Sequence, residues 1–167
     1  FFQDEEIDVE YPWNSTLKTS SGNWDNQTLL ASTYDKQTAL IVASDAAAND
    51  LYGTSISLDT NTNLLAIGAP GETSSKGAVY IYDTNNDGST YGTQVKIVSA
   101  GGAAGDDFGS EVSLSGEVLA ISNPDDTEFT GGTAANSGSV EIWQRFLTQA
   151  PSTYTWRLQK KLVESAG

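Results

Sequence analysis

The stretch IVSAGGAAGDDFGSEVSL, Ile97–Leu114, decides the fold once it is laid over IVASDAAANDLYGTSISL, Ile41–Leu58. Read alone, its Asp107-Phe108-Gly109 is the tripeptide that holds magnesium beside ATP in protein kinases. Laid over the earlier stretch, with no gap, it becomes one half of a repeat. Ile41, Val42, Ala47, Ala48, Asp50, Gly53, Ser57 and Leu58 recur as Ile97, Val98, Ala103, Ala104, Asp106, Gly109, Ser113 and Leu114. Tyr52 matches Phe108, and Ile56 matches Val112. Asp107 is matched by Leu51, so its carboxylate is not the repeated feature; the aromatic-glycine pair is. A kinase also needs a catalytic loop, usually with a histidine, and a two-lobed fold. This chain of 167 residues has no histidine and is too short for two lobes.

The match continues beyond a shortened turn. LLAIGAP (Leu64–Pro70) pairs with VLAISNP (Val118–Pro124), GAVYIY (Gly77–Tyr82) with GSVEIW (Gly138–Trp143), and KIVSA (Lys96–Ala100) with KLVES (Lys161–Ser165). LIVAS, Leu40–Ser44, reads as a further copy of that last element and as an extra outer strand. The segments alternate or are rich in β-branched and aromatic residues, the mark of strands. Between them lie DTNTN, PGETSSKG, TNNDGSTYG and NPDDTEFTGGTAANSG, which carry turn residues. One unit is four short strands joined by hairpins, and no stretch shows sustained helical periodicity. Such a unit, repeated, predicts an all-β protein of β-propeller-type four-stranded antiparallel blades.

Composition narrows the function classes. Hydrophobic residues are 38% and charged residues 18%, a globular balance. No apolar run approaches the roughly 20 residues that span a bilayer, so no transmembrane segment is expected. The chain lacks Met, which points to a processed product or a fragment. It also lacks Cys and His, which removes thiol nucleophiles, imidazole bases and most zinc sites. A net charge of −14 argues against nucleic acid, whose phosphates need a basic footprint. Asp4, Glu5, Glu6, Asp8 and Glu10 form an acidic run that reads as a solvated arm, or as a docking site for a cation or basic partner. Asn14-Ser15-Thr16 and Asn26-Gln27-Thr28 are N-glycosylation sequons, and they tilt the reading toward a secreted, extracellular eukaryotic glycoprotein.

At this point the residues resemble the FG-GAP repeat, the blade unit of the integrin α-subunit propeller. The family pattern is a Phe-Gly near the start, a Gly-Ala-Pro closing the second strand and a Gly-x-Val-Tyr-x-Tyr third strand. Here stand Tyr52-Gly53, Gly68-Ala69-Pro70 and Gly77–Tyr82, then Phe108-Gly109, the degraded Ser122-Asn123-Pro124, and Gly138–Trp143. The resemblance covers about Leu40 to Gly167. The aromatic of each pair suits the space between adjacent blades. The glycine after it permits a conformation or close approach that a Cβ would block, and Pro70 ends ladder pairing after the second strand.

Family blades often carry a calcium loop between their first and second strands. Here that place holds Asp59, Asn61 and Asn63 without the glycine and final carboxylate, so the site reads as a tight hairpin. A different loop offers Asp83, Asn85 and Asp87 before Gly88, the start of a Ca2+ loop. Its bidentate acid is missing, because Tyr91 and Gln94 stand at the ninth and twelfth positions, and the same residues favour a plain hairpin turn. Asp106/Asp107 and Asp125/Asp126 are candidates for the paired acids of a glycoside hydrolase, although adjacent acids on a strand point to opposite faces and those in loops are usually solvated.

The organisation expected is an N-terminal arm and partial blade over 1–39, one repeat over 40–107 and a second over 108–167. Propellers close with more blades than two. The expectation is therefore a piece of a larger propeller, or copies that cover each other's edges. The arm, with Phe1, Phe2, Tyr11, Trp13 and a possible strand at Ile7–Tyr11, adds a strand to a neighbour or completes its own partial blade. The function expected is non-enzymatic: a structural or adhesive extracellular protein that binds proteins or glycans, or self-associates into a filament or layer. A calcium-dependent ligand-binding propeller fragment and a carboxylate-based glycoside hydrolase are the alternatives.

Overall fold

The computed structural model describes residues 40–84, 91–129, 132–133, 136–149 and 153–164. The N-terminal arm, with its aromatics and acidic run, lies outside them, as do the sequon residues Asn14 and Asn26 and the loop residues Asn85 and Asp87. The described residues all belong to one compact unit, Ala39–Gly167. In it the chain is all-β and builds two four-stranded antiparallel sheets.

Blade 1 is β1 (Ser55–Asp59), β2 (Leu64–Ala69), β3 (Ala78–Thr84) and β4 (Tyr91–Ile97), in that spatial order. Blade 2 is β5 (Val112–Ser115), β6 (Val118–Asn123), β9 (Ser139–Gln149) and β10 (Thr153–Val163). A two-stranded hairpin, β7 (Glu128–Phe129) and β8 (Gly132–Thr133), interrupts the connection from β6 to β9. Within each blade every strand pairs with the one before or after it in the meander.

The burial follows the pattern of the strands. β2 reads LLAIGA and is buried on both faces, as its unbroken apolar run requires. β5 alternates buried Val112 and Leu114 with exposed Ser113 and Ser115. One core fills the seam between blades: Leu64, Ala66, Val79, Ile81 and Ile97 from blade 1 meet Val112, Leu114, Leu119, Ile121 and Trp156 from blade 2, around Phe108. A second core, with Leu65, Ile67, Tyr80 and Tyr82, lies on the other face of blade 1 under Ala43, Ile41 and Tyr52.

Phe108 is fully buried and forms a parallel bridge to Gly77. Its backbone is held on both sides: the Phe108 N–H donates to the Lys76 carbonyl, and the Gly109 N–H to the Ser122 carbonyl at 3.0 Å. A Cβ on Gly77 would run into the Phe108 carbonyl, and one on Gly68 into the Gly109 carbonyl. The seam is therefore a backbone-to-backbone approach. Gly109 itself has φ 92°, as does Gly53 in the first unit, a conformation that L side chains rarely adopt.

Three features differ from the sequence reading. Leu40–Ser44 is not a strand: the Ser44 N–H bonds to Gln94 Oε1 and the Val42 carbonyl accepts from the Tyr82 hydroxyl, so side chains hold it where a ladder would. The third and fourth strands of blade 2 run 11 residues each, past Trp143 to Gln149 and back from Thr153, because Thr, Phe, Tyr and Trp continue the β pattern beyond the repeat. The stretch PGETSSKG contains a four-residue helical turn, Glu72–Ser75, in which Thr73 and Ser74 have φ 47° and 60°. That turn presents the Ser74 and Ser75 carbonyls to the Gly105 and Asp107 N–H groups in the segment that leads into blade 2.

Replacing Phe108 by Ala is expected to lower unfolding free energy by about 3–5 kcal/mol in urea denaturation, because the cavity opens in the seam. Tyr52→Ala, at a half-buried position, costs less. Gly77→Ala is expected to destabilise more than Gly105→Ala, whose Cβ would meet nothing within 4 Å.

Candidate functional site

The polar groups of the two blades repeat as faithfully as the apolar ones. Asp50 and Asp106, both buried, use Oδ2 to accept the N–H of Ala47 and Ala103, each at 2.6 Å. Their carbonyls accept N–H groups from Gly71 and Asp125. The residues directly after those two donors, Glu72 and Asp126, each form an ion pair with a lysine on the fourth strand. Lys96 Nζ lies 2.7 Å from Glu72 Oε1, and Lys161 Nζ lies 2.6 Å from Asp126 Oδ2. Each pair ties the loop after the second strand to the outer edge of its own blade.

Around each lysine the two blades diverge. In blade 1, Lys96 also meets Asp45 at 2.6 Å, the Tyr80 hydroxyl donates to Asp45 at 2.8 Å, and the ammonium lies 5.5 Å from the centre of the Tyr80 ring. Burial disfavours the charge on Lys96, yet its bonds to Asp45 and Glu72 outweigh that and raise its pKa. The same bond from Lys96, then that from Tyr80, lowers the pKa of Asp45. In blade 2, Glu141 stands where blade 1 has Tyr80. It is fully buried and accepts from Ser99 at 2.6 Å and from the Trp143 indole at 2.9 Å. Asn123 and Ser139 donate to Asp126 beside it.

A third set of contacts crosses the seam along the two first strands. Ser55 donates to the Gly109 carbonyl at 2.8 Å, Ser57 accepts the Leu114 N–H at 3.0 Å, and Asp59 Oδ2 accepts the Gly116 N–H at 2.6 Å. The other oxygen of Asp59 accepts the N–H groups of Asn61 and Thr62 and so closes its own hairpin. The Gly116 N–H, then that of Thr62, lowers the pKa of Asp59. Past the hairpin, Arg145 grips the Glu117 carboxylate with two nitrogens, stacks 4.2 Å over Tyr154 and stands 4.0 Å from Asp83. The Arg145 bond lowers the pKa of Glu117.

The residues singled out in the sequence fall within this frame as follows. Tyr52 makes an edge-to-face contact with Tyr80 at 5.5 Å and shares a 2.9 Å hydroxyl bond with Tyr82. Phe108, Gly109 and Gly68 line the seam, and buried Pro70 follows β2. Asp83 is exposed, with Arg145 as its neighbour. Of the paired acids, Asp106 caps a turn and Asp126 is ion-paired. Burial raises the pKa of Asp107, and nearby Asp125 adds to the effect. Among the described residues no three acids converge as a metal cage, and a shallow cleft beside Glu72, Lys76 and Lys96 holds about 190 Å³. Small-molecule sites are usually roughly 300–1,000 Å³.

The two ion pairs were missed in the sequence, though a signal existed. Lys96 and Lys161 head aligned segments, and Glu72 and Asp126 each stand second after a proline. The family model described as FG-GAP repeat matches residues 36–82 and 91–142, more than half of the chain. No curated protein matches it.

Lys161→Met removes the ion-pair partner of buried Asp126 and is expected to cost about 3 kcal/mol by denaturant titration. Asp59 and Glu117 have pKa values lowered on folding, so their stabilisation is present above the ordinary carboxylate range and is lost as pH falls through their folded values. Thermal melts are expected to drop below about pH 4, and Asp59→Asn to flatten that drop.

Proposed function

We infer the function from the premise that this chain belongs to the FG-GAP repeat family: it is a non-enzymatic structural and adhesive repeat protein of the extracellular space. Its partners are proteins or glycans, met over blade faces and loops. One observation carries this reading. Four of the five buried acids among the described residues are committed to the scaffold in the same way in both blades, as turn caps at Asp50 and Asp106 and as ion pairs at Glu72 and Asp126, and the fifth, Glu141, accepts from Ser99 and Trp143. The secreted setting rests on the Asn14 and Asn26 sequons together with the acidic, cysteine-free composition. Among the described residues no helix is long and apolar enough to cross a membrane.

The glycoside-hydrolase alternative has one feature in its favour, the raised Asp107 carboxyl beside Asp125. The two readings part in one experiment. The chain is passed over a panel of immobilised matrix proteins and glycans, and the same glycans are assayed for new reducing ends. Saturable binding without reducing ends is expected. Release of reducing ends that disappears in Asp107→Asn would overturn the non-enzymatic reading.

A further inference from the structure

Blade 2 buries a polar cluster at the place where blade 1 is apolar. In blade 1, Ala43, Ala69, Ala78 and Tyr80 belong to one hydrophobic core. Their equivalents in blade 2 are Ser99, Asn123, Ser139 and Glu141. Asn123 and Glu141 are fully buried, and Ser139 and Asp126 nearly so. The register puts Asn123 opposite Ser139 across β6 and β9, and Glu141 opposite Lys161 across β9 and β10. Such cross-strand neighbours hold their Cβ atoms about 4.5–5.5 Å apart, so the Glu141 and Lys161 side chains rise side by side from one face. Asp126 reaches in from the loop after β6. Its Oδ2 lies 2.6 Å from Lys161 Nζ and accepts from Asn123 Nδ2 at 3.0 Å and from Ser139 Oγ at 2.5 Å. Ile121, opposite Glu141 on β6, is fully buried in the seam core. The Lys161 side chain is 16% exposed and that of Asp126 3%. An amine, an acyl group and a second carboxylate thus meet in a space largely closed to water.

We propose that Lys161 and Asp126 condense to an intramolecular isopeptide bond, which ties the last strand of blade 2 to the loop after β6. A proton passes from the Lys161 ammonium to the Asp126 carboxylate, which then carries it on Oδ1. That step turns a buried ion pair into a neutral pair, the form that an apolar site favours. The Nζ lone pair attacks Cγ of Asp126 and the C–N bond forms. Negative charge develops on Oδ2, where the Asn123 amide and the Ser139 hydroxyl already donate. Glu141 takes the surplus proton from nitrogen and returns it to the Oδ1 hydroxyl. The C–Oδ1 bond breaks and one water leaves. An ammonium and a carboxylate are consumed, a neutral amide and a water are formed, and no oxidant or co-reactant enters. Holding the two groups in contact supplies the effective concentration that such a condensation lacks in water. Blade 1 is the internal control. Its Glu72–Lys96 pair has the same spacing, at 2.7 Å, but Tyr80 faces Lys96 across the ladder and Asp45 shares the ammonium. With no second buried carboxylate opposite the lysine, that pair stays ionic. The reaction is a single turnover within the chain and adds no activity toward a ligand, so it stands apart from the binding function proposed above.

The test is mass spectrometry of the full 167-residue chain, folded first and then denatured. The expected mass is that of the sequence less one water. Protease digestion is expected to give one branched peptide that joins Asp126 to Lys161, and only linear peptides around Glu72 and Lys96. Lys161→Arg is expected to keep the full sequence mass. Glu141→Gln, with its fold checked by circular dichroism, is expected to slow cross-linking by roughly 100-fold. The unmodified chain decides the proposal without any variant: folded protein that keeps its full sequence mass, or a water lost from a linear peptide, overturns it. Cross-linking as fast in folded Glu141→Gln, or a second branched peptide at Glu72 and Lys96, overturns the role given to Glu141.

Discussion

Two backbones touch at the seam, and the fold depends on that approach. Gly77 and Gly68 lie so close to the Phe108 and Gly109 carbonyls that a methyl group does not fit between them. Once they meet, Phe108 is enclosed and one apolar face of each sheet is covered. The adjacent first strands have no mutual backbone ladder, so side chains complete the hydrogen bonding. Ser55, Ser57 and Asp59 supply one donor and two acceptors to the backbone of blade 2. Backbone polar groups buried without such partners would each cost about 1–3 kcal/mol.

Polar residues do in this molecule what a larger apolar core does in others. Each blade is braced by a capped turn at Asp50 or Asp106 and by an acid–lysine pair that reaches its outer strand. The surroundings of the lysines differ, with Tyr80 and Asp45 in blade 1 and Glu141 in blade 2. The frame is thus constant, while its lining varies. A scaffold of this kind can change its surface chemistry without losing its blade geometry, a property suited to recognition by contact.

Much of the architecture was legible in the sequence because turns and strand periods are local. The repeat put Phe108-Gly109 over Tyr52-Gly53 and removed the apparent magnesium aspartate. What could not be read depended on partners far apart in the chain. Glu72 finds Lys96 across 24 residues, and the only local sign of the pairing is that each acid and each lysine recurs at an equivalent place in the second unit. The segment Leu40–Ser44 has strand-forming residues yet no strand to pair with, so propensity alone misplaced it. The long β9–β10 hairpin was cut short because the repeat match ended at Trp143 while the cross-strand pairs continued. Asp59 reads in the sequence as part of a tight hairpin, and its Oδ1 closes that hairpin; its second bond, to the Gly116 N–H of the other blade, is the part that lies beyond local sequence.

Native-state hydrogen exchange across the seam tests most directly whether the two blades are one structure. The amides of β2 and β3 report on blade 1, those of β6 and β9 on blade 2, and Leu114 and Gly116 on the contact between them. The account predicts one cooperative unit, with both sets exchanging at the same opening free energy and the seam amides close to it. Separate opening free energies for the two blades, with Leu114 and Gly116 exchanging like open loops, would contradict it.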